Sequence, residues 1–132
     1  MKQLICLLAL VMVLGIATRA QDDAYSAIMK QVGPAAQSLN KNLMAKSADS
    51  VADARKLQAL MGQTHDYWQK KSVADATKFA ADAQSGFKDV ADQAMAGKYD
   101  DAAATLKMTQ NNCQGCHMAH RVRNPDGTFT MK

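Results

Sequence analysis

Two cysteines and a histidine stand together as Cys113-Gln114-Gly115-Cys116-His117, with fifteen residues after the histidine. Cys-x-x-Cys-His is the attachment signature of a c-type haem. The thiols add across the two haem vinyl groups, and the adjoining histidine offers a ring nitrogen to the iron. On a helix, Cys113 shares a face with Cys116 (i, i+3) and with His117 (i, i+4), so one turn can grip the edge and centre of a porphyrin. Two other chemistries use such a pair. A dithiol redox centre needs a strand-turn-helix setting and an acidic first thiol, and no strand pattern precedes Cys113. A zinc site wants a second ligand pair, whereas the other histidines are His65 and His120 and the other cysteine is Cys6.

The start of the chain bears on the choice. Residues 1–20 read as a secretory signal, with Lys2 as the charged region, Leu4 to Ile16 as the apolar stretch, and Thr18-Arg19-Ala20 before a cut at Gln21. The apolar run is too short to span a membrane. Cleavage removes Cys6, so both remaining cysteines belong to the motif, and it places the protein in the periplasm or an equivalent exported space. Loss of Lys2 and Arg19 takes the formal charge from +4 to +2. That balance, with no aromatic residues set into a basic stripe, gives no footprint for nucleic acid.

The elements that must position the motif are helices, because apolar residues from Tyr25 to Cys113 recur at helical spacing. Tyr25, Met29, Val32, Ala36, Leu39 and Leu43 form a first stripe, crossed by Gly33-Pro34, which predicts one kinked helix. A second stripe, from about Asp49 to Gln69, carries Val51, Ala54, Leu57, Met61, His65 and Trp68. Ser72-Val73-Ala74-Asp75 resembles a capping box and opens a third helix along Val73, Ala76, Ala80, Ala83, Phe87, Val90 and Ala94. Gly97 closes it. Asp100 or Asp101 starts a fourth, whose stripe of Ala103, Leu106, Gln110, Cys113 and His117 carries the motif inward. Short connections around Lys46, Lys70 and Gly97 make consecutive helices antiparallel. The expectation is an all-α, up-down-up-down four-helix bundle over residues 21–123. Asn124-Pro125-Asp126-Gly127 is a turn, and residues 124–132 form a surface tail. The stripes are rich in alanine, so a buried haem would supply apolar volume that the side chains lack.

A four-helix chain with its haem motif in the last helix resembles the class II cytochromes c, which include cytochrome c prime and its methionine-ligated low-spin relatives. The likeness rests on Cys113 to His117, on Arg121 four residues later, and on Met29-Lys30-Gln31-Val32-Gly33 in the first helix. Family members commonly carry tyrosine where this chain has His120. They tend to place arginine, near a haem propionate, where this chain has Tyr25, whose hydroxyl could still donate a hydrogen bond. The resemblance implies that Arg121 lies beside the proximal imidazole; the bland reading is a solvated charge beside Arg123. It also implies that Met29 projects onto the distal haem face. As a ligand there it makes a low-spin electron-transfer centre, and as core filler it leaves the sixth position open to NO or CO.

Other side chains carry less weight. Met118 should point away from the iron, Met44 and Met61 belong to a bundle end, and Met131 lies in the tail. His65 and Trp68 could line the cavity, with His65 as an alternative distal ligand, or serve as a boundary residue and a core residue. His120 could flank the haem edge without ligating iron. Tyr67 and Tyr99 read as surface or bundle-end residues. The expected protein is thus an exported monohaem carrier that exchanges electrons with redox partner proteins. It has no catalytic constellation and no stable membrane insertion. The family often forms a homodimer through its first two helices.

Overall fold

The computed structural model describes the backbone from Lys2 to Lys132 and the side chains from Asp22 onward, so the signal cleavage expected after Ala20 lies outside the described side chains. Four α-helices form the bundle: α1 (Lys2–Met44), α2 (Asp49–Lys70), α3 (Ala74–Met95) and α4 (Tyr99–His120). Consecutive helices pack on one another and α1 closes against α4. Among the described residues no helix is long and apolar enough to cross a membrane. Helix α1 runs unbroken through Pro34, whose face is exposed. There the missing N–H leaves a carbonyl that water can reach.

Each connection is a tight reversal closed by a left-handed residue. Gly97 (φ 74°) donates its N–H to the Ala94 carbonyl and Lys98 to that of Gln93, the paired bonds of a helix C-cap. Lys46 (φ 51°) and Ser72 (φ 57°) do the same job after α1 and α2 without glycine's freedom. This corrects the capping-box expectation. Ser72 is spent terminating α2, Val73 stands at the N-cap of α3 without a side-chain cap, and Asp75 accepts from the Ala76 N–H instead.

The main core joins Leu39 and Leu43 of α1, Leu57, Leu60 and Met61 of α2, Phe87 and Val90 of α3, and Leu106 of α4. The α3 stripe is as expected, with Val73 at its edge only half-buried. The α4 stripe is corrected. Ala103 and Gln110 are exposed, and the inward residues are Ala102, Leu106, Thr109 and Cys116. Thr109 sits inside because its hydroxyl is satisfied by the Thr105 carbonyl at 2.8 Å and because Gly86 on α3 has no side chain in its way.

The chain ends in a hairpin that sequence reading did not foresee. Strand β1 (Arg121–Arg123) pairs antiparallel with β2 (Phe129–Met131), Arg121 opposite Met131 and Arg123 opposite Phe129. The turn falls where Asn124 to Gly127 predicts it, with Gly127 at φ 85° and Asp126 accepting from the Thr128 N–H and hydroxyl. Residues 124–132 do stay at the surface, but as half of a sheet.

Candidate functional site

The motif sits on the last two turns of α4. Cys116 is buried, while Cys113 and His117 are half-buried. Neither cysteine is in a disulfide. All three line a small apolar cavity that opens in part to solvent. Its other walls are Tyr25, Met29 and Val32 of α1, Met61 and Thr64 of α2, Phe79, Ala80 and Ala83 of α3, and Asn112 of α4. Among the described residues no three His, Cys, Asp or Glu side chains converge as a metal cage.

Burial pushes the Cys113 thiol up and the Cys116 thiol up to about 11, the latter helped by the nearby Cys113 and Asp75. Both are therefore protonated thiols at neutral pH, the opposite of what a dithiol redox centre requires. Burial, and then the positive charge of Arg121, hold the His117 pKa below its ordinary value. The neutral imidazole keeps a ring nitrogen available as a ligand.

Five of the six residues singled out from the sequence meet at this cavity: Cys113, Cys116, His117, Met29 and Tyr25. Arg121 does not line it. It lies near enough to act on the charge of both His117 and Tyr25, and its guanidinium sits 3.9 Å from the Phe129 ring centroid. Tyr25 belongs to an aromatic cluster packed beside the cavity. It stacks on Tyr67 at 4.2 Å and meets Trp68 edge-on at 5.6 Å. Burial pushes its phenol up to about 12. The Trp68 indole N–H nears the Tyr25 phenol closely enough to restrain that rise but lacks hydrogen-bond geometry, so Nε1 is a buried donor without a partner.

Several expectations change here. Tyr67 is buried rather than superficial, because it stacks on Tyr25 and its hydroxyl donates to Asp22 at 2.6 Å, where Lys71 also binds at 2.5 Å. His65 is off the inner stripe. It pairs with Asp66 at 3.1 Å, and Thr64 faces the cavity in its place, hydroxyl satisfied by the Leu60 carbonyl. Met61 is not a bundle-end residue but a buried part of the cavity wall, so two thioethers, Met29 and Met61, are present. His120 pairs with Asp75 at 2.9 Å and lies against Trp68. Met118 points outward. Phe79 and Asn112 were not anticipated in the wall. Phe79 stands one residue before Ala80 of the α3 stripe and so off the seam, and Asn112 had only its place beside Cys113 to mark it.

Comparison with protein-family models, with characterised proteins and with solved structures found no match to this chain.

Proposed function

We propose that the protein is an exported monohaem c-type cytochrome of class II type that carries electrons between redox partner proteins. The observation that carries this reading is the convergence of Cys113, Cys116 and His117 on an apolar cavity shared with Met29. The donor set suits the group: two thiols one helical turn apart, a neutral imidazole beside them, and thioethers on the facing helices. The raised thiol pKa values count against a dithiol oxidoreductase.

In this reading Cys113 and Cys116 would hold the porphyrin through thioether bonds, and His117 and Met29 would hold the iron. Haem bound there supplies a one-electron ferric/ferrous couple. Tyr25, Phe79, Val32 and Ala83 give the cavity apolar walls, which lower the local dielectric around a group held there. A five-coordinate, NO- or CO-binding protein is the second reading, favoured by the half-exposed state of Met29.

The absorption spectrum of the reduced holoprotein tests the pair. A low-spin spectrum lost in Met29→Ala and kept in Met61→Ala is the expected result. A high-spin spectrum in the unaltered protein would remove Met29 as ligand, and loss only in Met61→Ala would assign the role to Met61.

A further inference from the structure

We infer that the C-terminal hairpin is a docking platform for an acidic protein surface, the redox partner required by the reading above, on which this inference rests. Arg121, Arg123, Phe129 and Met131 occupy one face, since residues directly opposite in an antiparallel pair point the same way. Phe129 is 49% exposed and Met131 38%, and Met118 projects at the end of α4. Arg and the large apolar residues Phe and Met are what interface centres favour. The Arg121 guanidinium against the Phe129 ring fixes two of these groups in advance, which lowers the ordering cost of binding.

Charge gives the partner its sign. Among the described residues Arg121, Arg123 and Lys132 make no ion pair, while the neighbouring carboxylates are already engaged. Asp126 holds the turn through Thr128, Asp75 holds His120, and Asp22 holds Lys71 and Tyr67. Asp126 keeps its charge in the turn, but Arg121, Arg123 and Lys132 outnumber it, so the hairpin is a net cationic rim around an apolar centre. Three cations fall short of the cluster of about four to eight that marks anionic lipid recognition, and the compact apolar centre suits a protein. Position matters as well. Strand β1 follows α4 without a break, four residues after His117 of the cavity wall, so a partner seated here stands next to the cavity.

The test uses the holoprotein, with fluorescent poly-glutamate as an acidic polypeptide and phosphatidylglycerol vesicles as the lipid probe. Poly-glutamate should bind at low ionic strength and release with added salt. At low ionic strength an Arg123→Glu, Lys132→Glu double variant should weaken binding about tenfold, Phe129→Ala, which removes the ring that holds the Arg121 guanidinium, should weaken it about threefold, and Lys56→Glu on exposed α2 surface should change it less than about twofold. Equal losses in the hairpin and Lys56 variants would reduce the effect to net charge and overturn the proposal. Binding to vesicles but not to poly-glutamate would overturn it too. Haem is assayed separately on denatured protein: its absence sinks the cytochrome reading, whereas lost hairpin dependence with haem present sinks only the docking site.

Discussion

At the residue scale the aromatic wall and its ion pair respond to pH in opposite directions. Tyr25 stays protonated in the folded protein until about 12 but ionises near 10 when unfolded. Its contribution is therefore full below pH 10 and is lost as pH rises toward 12. Urea unfolding should show the midpoint falling across that window, with a shallower fall in Tyr25→Phe. Asp22 is held below its ordinary 3.8 by the Lys71 and then the Tyr67 hydrogen bonds. Its contribution is present above 3.8 and disappears as pH falls through the lowered value. Because the pair is half-exposed, Asp22→Asn should cost no more than about 1 kcal/mol at neutral pH, and the difference should close in acid. Gly115 inside the motif is equally constrained. A Cβ there would come within 2.7 Å of Phe79 Cε1. Alanine's helical advantage of about 1 kcal/mol is outweighed by overpacking of about 1–3 kcal/mol, so Gly115→Ala should destabilise the protein.

At the element scale the helices were legible because their apolar period is strong and their ends fall at Lys46, Ser72 and Gly97. The errors came from residues whose polarity hid their burial. Thr64 and Thr109 satisfy their hydroxyls on their own helices, so each can face inward where a sequence stripe passes over it. Tyr67 has a partner 45 residues away at Asp22, which no local pattern reveals. Ser72 was read as the start of α3 because its side chain suits a cap, yet its backbone ends α2 at φ 57°. A β-carbon in that region costs about 1–2 kcal/mol. Ser72→Gly should therefore raise stability by about 1 kcal/mol, as should Lys46→Gly; thermal or urea unfolding that showed no gain in either would contradict the strained-cap account.

At the scale of the whole molecule the bundle brings the start of the described chain to its end. Met29 and Tyr25 on α1 face Cys113, Cys116 and His117 on α4 across one cavity. Five of the six residues singled out from the sequence line that cavity because the motif is local and the first-helix stripe is regular. Met61 and Phe79 were not, since membership of the wall depends on helix rotation and on Gly115 giving Phe79 room. The hairpin was invisible for a related reason: two three-residue strands leave almost no periodic signal, and their pairing depends on the turn and on the Lys132 N–H reaching the His120 carbonyl at 2.9 Å. The central claim is that haem is covalently held by Cys113 and Cys116. Protein exported from a host competent in cytochrome c maturation should be denatured in acid acetone and its peptides weighed. Haem mass retained on the peptide containing Cys113 to His117 is the predicted result, and a protein that gives up all its haem, or never carried any, would contradict it.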